Sequence, residues 1–518
     1  MMTNSAGMIR TMITYGLCIL FAVVMGYILT DVGLQPTYQN LFALGLLAAL
    51  VLSPIFIKWH YPMMVFGLGL PVWVFFLKGS PPVWEIVVII SLGIAIVERT
   101  VQRKQKWLSA PSVAWPLFFT ILMVLITARL TGGFGLHTMG NEVGGGKKYI
   151  ALFLGIATFF ALTSRKIPEE RRNFYIGLYF LAGLPSFFGD LGPILPSPLN
   201  YINILIPPSV RPDQDWQLGI TRLGALGTTA KVVIFFMLAK FGLRGIFTGN
   251  KALWRAPLFF LMFACSMLGG FRNEIFTLAV ICFLMFFLEG LQRTRLLPLF
   301  VMIGVTVSCL LVPFARHLPY TFQRSLSFLP LDIDPTARLD AEGSSEWRFK
   351  MWHDLWPQVP QYLLLGKGYA LTFEDFQMLQ GGSLANGAEA QMNAGEDALA
   401  VAGDYHSGPL STLIPFGVWG AITFLWFMLA GLRVVYRNFK YGDPQLRIVN
   451  VFLLAEYFTH MLSYLFIYGA YSNDVFGFAK TAGFSIALNG GVLGPKTQPQ
   501  PAVKPQVKTF LRPELQPV

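Results

Sequence analysis

The feature that most limits what this chain can fold into is an apolar run long enough to cross a bilayer, repeated along almost its whole length. About 20 apolar residues span the hydrocarbon core. Runs of roughly that kind lie at 11–30, 40–57, 62–78, 83–98, 114–130, 149–163, 173–190, 221–240, 257–270, 274–290, 296–313, 409–432, 447–468 and 475–492. Only 13% of residues are charged while 54% are hydrophobic, a balance no soluble domain needs. The expectation is an all-α, polytopic integral membrane protein of about 12–14 transmembrane helices. The first run lacks a small-residue cleavage site and reads as a signal anchor. The last run holds Lys480 and many glycines, and is open to a re-entrant reading.

Orientation follows from the Lys/Arg bias of short loops. Five loops are basic: Arg99, Arg103, Lys104 and Lys106; Arg165, Lys166, Arg171 and Arg172; Lys240, Arg244, Lys251 and Arg255; Arg293 and Arg295; Arg433, Arg437, Lys440 and Arg447. Counting spans puts all five on one side, which predicts that side, and both termini, to be cytoplasmic. The net charge of +12 is then a topology signal and gives no reason to expect nucleic acid. Residues 1–494 read as one membrane domain and 495–518 as a Pro/Gln-rich disordered cytoplasmic tail. Cys18, Cys265, Cys282 and Cys309 all lie in apolar runs, without metal-ligand spacing, so core packing is their expected role.

Three outer segments are sizeable. Residues 131–148 are Gly-rich, and their GGGKK lacks the Ser/Thr ending and preceding strand of a nucleotide loop, which leaves a flexible turn. Residues 191–220 are Pro-rich. The longest is a large loop at about 314–408, whose residues 315–407 carry six Lys/Arg and twelve Asp/Glu, a net of −6. Within it SSEWRFKMWHDLW has a helical pattern that should stop before Pro357. Arg348 and Trp352, four residues apart, share a face that Trp356 extends, and such a helix suits a membrane interface. Residues 376–403, rich in Gly, Ala, Asn and Gln, read as flexible.

Charges in or beside spans are costly and usually have a reason. Arg222 opens one outer span end, Arg272 sits in a tight outer turn, Arg348 lies in the large loop, and His406 precedes a span. The same topology brings all four to one outer surface. Guanidinium forks make paired contacts to phosphate oxygens, and an imidazole can take a proton from a hydroxyl near neutral pH. Asp404, two residues before His406, can orient it. The plainer readings stand beside these: Arg129 and Arg316 as snorkelling anchors, Glu274 as a neutralising partner of Arg272, His406 as a surface histidine. Lys231 is turned away from Arg222 and calls for an interior acid or a cavity. Glu456, His460 and Ser463 form a stripe that suits an interhelical hydrogen-bond network or, as in transporters, a proton path.

HSGPLSTLIPFGVWG, with His406, Ser407, Gly417 and Gly420, resembles the His…Gly-x-x-Gly pattern of bacterial O-antigen ligases and O-antigen polymerases. RFKMWHDLWPQVPQYLLLGKGY resembles the family's Arg…Trp…Pro…Gly-x-Gly stretch through Arg348, Trp352, Pro360, Gly366 and Gly368. Arg222 resembles its Arg-x-x-Gly element with the glycine one place early, and Arg272 its Ser-Arg with Phe271 in place of Ser. The resemblance runs from about Thr221 to Ile467. It implies a glycosyltransferase on the periplasmic face of the bacterial inner membrane, inverting, without metal or other cofactor. The donor would be an undecaprenyl-pyrophosphate-linked glycan and the acceptor hydroxyl that of a glycan or lipid. Arg222, Arg272 and Arg348 would hold the diphosphate, and His406 would act as the catalytic base, with Asp404, Trp352, Gly417 and Gly420 supporting. The scarcity of further outer cations leans the reading towards a ligase over a polymerase. Rivals are a secondary transporter or lipid-linked-sugar flippase, which would use Lys231 and the Glu456–His460 stripe, and a transferase with an acid such as Asp31 in an early outer loop.

Overall fold

The structure, a computed structural model, describes residues 54, 57–75, 77, 79–101, 107–132, 145–191, 196, 202–207, 222–370 and 403–495. The runs at 11–30 and most of 40–57, Cys18, Asp31, the parts of the Gly-rich and Pro-rich segments at 133–144 and 208–221, the loop at 371–402 and the tail from 496 lie outside the described residues.

Among the described residues the elements are helical. They are α1 (Val83–Val101), α2 (Pro111–Thr131), α3 (Gly146–Thr163), α4 (Arg172–Leu181), α5 (Gly224–Phe247), α6 (Ala252–Ser266), α7 (Arg272–Leu288), α8 (Leu296–Phe314), α9 (Tyr320–Ser325), α10 (Pro335–Leu355), α11 (Val359–Tyr362), α12 (Gly408–Tyr441), α13 (Arg447–Phe466) and α14 (Tyr471–Asn489). Among the described residues seven segments are long and apolar enough to cross a membrane, and the chain is an all-α membrane protein.

The described parts of the runs at 62–78 and 173–190 do not form single helices. In 62–78 the helix ends at Gly67, and the chain then turns back so that Val74 N–H donates to Pro81 O and Val83 N–H to Val72 O. Gly67, Gly69 and Pro71 remove the stiffness and the donor a helix would need there. In 173–190, α4 stops at Leu181 and gives way to a 3₁₀ turn at Leu184–Phe187 and a last turn at Phe188–Leu191. Gly183 at that break lies so near α5 that a Cβ would meet Val232 at 2.8 Å.

The least hydrophobic run becomes the most buried helix. α14 is continuous from Tyr471 to Asn489 and nearly enclosed. A helix shielded by protein need not be apolar all round, which is why Lys480 and its glycines are tolerated. Those glycines bring helices together: a Cβ on Gly483 would meet Leu162 of α3 at 3.0 Å, and one on Gly477 would meet the His460 ring at 2.5 Å. The re-entrant reading of this run is therefore replaced by a full helix.

Described members of the basic loops gather at one set of helix ends. Arg165 bonds Glu98, Arg172 bonds Asp443 at 2.7 Å, Ile167 N–H donates to Ala487 O at 2.9 Å, and Arg437 reaches Leu493 O at 2.7 Å. Gly242 breaks α5 at the same end, with φ 65°, and Glu289 accepts from the freed amides of Leu243 and Arg244. The opposite ends carry Arg222, Arg272 and His406.

Candidate functional site

α10 is longer than its sequence pattern suggested. Asp334 caps it, accepting from Thr336 N–H at 2.8 Å, with Pro335 in the first turn, and it ends before Pro357 as expected. The helix lays Asp340, Ser345, Arg348 and Trp352 across the ends of α5, α7 and α12 that lie opposite the basic loops. Arg272, first residue of α7, donates to Ser345 Oγ at 2.9 Å. Arg222, just before α5, pairs with Asp340 at 3.1 Å.

The sequence reading missed the group that ties this cluster together. Arg324, on α9, donates through Nε to Asp340 Oδ2 at 2.7 Å and through Nη1 to Gly270 O at 2.5 Å. Tyr320 adds a third bond to the same carboxylate oxygen at 3.2 Å. One half-buried acid thus holds two guanidiniums and a phenol, and Arg272 lies in the combined field of Arg324, Arg348 and Asp340. Nothing in the sequence around Arg324 shows that α9 packs on the turn at Gly270. The available sequence signal is Asp340, an acid about two helical turns before Arg348 on the same helix. The expected Arg272–Glu274 neutralisation gives way to a different pair: Glu274 binds Lys231 at 2.8 Å, so Lys231 does find its interior acid. Arg129 and Arg316 are exposed, in keeping with anchors.

His406 stands beside this cluster. Its ring is held edge-on by Trp347, 5.3 Å between centres, and by Tyr468 at 4.9 Å. Its backbone is left-handed, with φ 50°, a conformation a β-carbon disfavours and the surroundings must impose. They do so from both sides. Trp352 Nε1 donates to Tyr405 O at 2.8 Å, and Tyr405 N–H donates to Ser411 Oγ, which in turn donates to Gly469 O. Asp404 Oδ1 accepts from the His406 amide at 3.3 Å and lies 3.6 Å from Nδ1, which is buried without another partner. A carboxylate there favours the proton on Nδ1 and leaves the lone pair on Nε2. Burial pushes the imidazole below its ordinary pKa. Asp404 opposes that shift and the Arg348 charge adds to it. Arg348 is itself held below its usual range by burial, and its Nε is buried without a hydrogen-bond partner.

Gly417 and Gly420 sit away from the imidazole and shape α12. At Gly417 the helix breaks, with φ 64°, and Val418 N–H donates to Leu363 O while Lys367 and Gly368 donate to Ile414 O and Pro415 O. A Cβ on Gly366 would overlap Pro415 O at 2.1 Å, and one on Gly417 would meet Leu363 O at 2.6 Å. These glycines dock the end of the Gly-x-Gly stretch into the break within α12. At Gly420 a Cβ would lie 2.5 Å from that of Phe416. Among the described residues no three His, Cys, Asp or Glu side chains come together as a metal site.

Fold and site together define a helical membrane protein with a cluster of arginines and one oriented histidine at a single set of helix ends. Residues 257–425, about a third of the chain, match the family model described as O-Antigen ligase. The resemblance to bacterial O-antigen ligase-like membrane proteins is borne out over that segment, which contains Arg272, Arg324, Asp340, Arg348 and His406. No curated protein matches the chain.

Proposed function

We propose that the chain is a periplasm-facing inner-membrane glycosyltransferase that moves a glycan from undecaprenyl pyrophosphate to an acceptor hydroxyl. The observation that carries this reading is the joining of Arg222, Arg272, Arg324 and Arg348 to His406 through one helix, α10. Arg222, Arg272 and Arg348 bind the diphosphate, the leaving group, and stabilise the charge it gains. Asp404 holds the imidazole so that Nε2 takes the proton of the acceptor hydroxyl. The acceptor oxygen bonds the anomeric carbon from the face opposite the diphosphate, the bond to the diphosphate breaks, and the configuration inverts. Arg324 and Asp340 arrange the guanidiniums beforehand, a preorganisation that water cannot offer.

The test is the fate of the glycan in cells carrying His406→Ala. Ligase-type transfer predicts long glycan accumulating on its lipid carrier and missing from the final acceptor, while the variant still inserts at wild-type levels. Accumulation of single repeat units only would replace this with polymerisation by the same site. Normal acceptor glycosylation by the variant would refute the reading.

A further inference from the structure

Below the arginine cluster lies a second polar site that the reaction just described does not use. A cavity of about 320 Å³ is bounded by α4 and the turn after it, α5, α13 and α14. Its polar lining is Lys231, Glu456, Lys480, Ser186 and Thr228, and its walls include the rings of Tyr179, Phe235 and Phe452. Lys231 is seven residues into α5, Lys480 nine into α14, and Glu456 ten from the outer end of α13. At 1.5 Å per residue these charges sit about 10–15 Å below the outer helix ends.

Polar atoms at that depth need partners, because the hydrocarbon around the protein offers none. Glu456 lies beside Thr481, whose hydroxyl is 3.4 Å from that of Tyr179, and its Oε2 is buried with no hydrogen-bond partner. The Lys480 ammonium lies over two rings, 5.5 Å from the centre of Tyr179 and 5.6 Å from that of Phe476, with Glu456 as its opposing charge. Lys231 is held by Glu274, yet its side chain keeps 29% of its exposure. The cavity therefore presents a carboxylate oxygen that wants a donor, ammoniums that want acceptors, and apolar ring faces between them.

Charge decides what would fit. Two lysines stand against Glu456 and Glu274, so a bound anion or cation would leave the site unbalanced. A neutral ligand with several hydroxyls on an otherwise apolar ring satisfies every group: hydroxyl hydrogens to Glu456, hydroxyl oxygens to Lys480 and Lys231, C–H faces to the aromatic walls. The volume is at the small end of ligand pockets, about ten waters' worth at liquid density. We propose that this cavity binds a neutral saccharide ring carried on a membrane lipid. It rests on the glycan-transfer reading only for why such a ring is presented to this protein.

The experiment uses the full-length protein in phosphatidylcholine nanodiscs and, as probe, octyl glucoside bearing a diazirine beside the sugar. Labelled peptides are mapped by mass spectrometry. Label is expected on the segments of α4 and α5 that carry Tyr179 and Thr228. It should be competed by octyl glucoside but not by equal octyl phosphocholine. Glu456→Gln, which removes the carboxylate, and Thr228→Leu, which fills space and keeps the charges, should each lower labelling about tenfold, the loss of one good polar contact. Unchanged labelling in Thr228→Leu, or equal competition by octyl phosphocholine, would mean that only the alkyl chain binds and would overturn the proposal. Methyl glucoside competing as well as octyl glucoside would overturn the membrane-borne source. His406→Ala should label like wild type, so transfer by that variant would sink the reaction assignment and leave this site standing.

Discussion

Trp352 donates its indole N–H to the carbonyl of Tyr405 across 2.8 Å, and so joins the arginine-bearing helix to the residue before His406. This bond, together with Trp347 against the imidazole, ties the two sides of the proposed reaction, leaving-group binding and proton removal, to each other. Trp352→Phe keeps the ring and deletes that bond. A carbonyl left without its donor costs about 1–3 kcal/mol, so turnover is expected to fall about tenfold in a purified transfer assay while the protein stays folded. A wild-type rate would show that the indole only packs.

Asp340 holds Arg222, Arg324 and Tyr320 on one carboxylate oxygen. Its charge keeps the empty cluster together and competes with an incoming diphosphate. Asp340→Asn removes the charge at nearly constant shape. The melting temperature is expected to drop, and inhibition by inorganic pyrophosphate to tighten about tenfold, equivalent to ~1.4 kcal/mol. Weaker inhibition would mean that Asp340 serves binding only by ordering the arginines.

The sequence made some of this legible and hid the rest for identifiable reasons. Lipid-facing helices such as α8 were plain because every side chain must suit hydrocarbon. α14 was obscure because its neighbours are protein, so its pattern answers to Gly483 against α3 and Gly477 against His460. Arg222, Arg272, Arg348 and His406 stood out because outer span ends are normally poor in cations. Arg324 and Asp340 did not: their bond depends on how the loop folds back over the Gly270 turn, a long-range fact with no local pattern. The motif glycines were visible as a motif, but their work at Pro415 and Leu363 appears only when two backbones meet.

Orientation can be checked by thiol labelling in a background without Cys18, Cys265, Cys282 and Cys309. His353 points outward from α10, with its side chain 89% exposed, and Gln445 is exposed at the opposite helix ends, next to Asp443, which pairs with Arg172. With the outer membrane permeabilised, an impermeant maleimide is expected to label His353→Cys and to spare Gln445→Cys until the inner membrane is opened. The reverse pattern would put the arginine cluster in the cytoplasm and remove the basis for a periplasmic reaction.

The pH profile distinguishes His406 from any other base. Burial is the largest influence on its imidazole and lowers the pKa from 6.5. Asp404 raises it and Arg348 lowers it further. A base works when unprotonated, so kcat/KM should be lost as pH falls through a value below 6.5. Removing a neighbour should move that limb in a direction fixed by its sign. Asp404→Asn takes away the anion that favours the imidazolium, so the limb should shift to lower pH. Arg348→Met takes away a cation that disfavours it, so the limb should shift to higher pH. Both variants should also be slower, the first through a less well oriented ring, the second through a lost diphosphate contact. Opposite displacements in the residual activity are the expected result. If both limbs coincide with wild type, the titrating group is not His406.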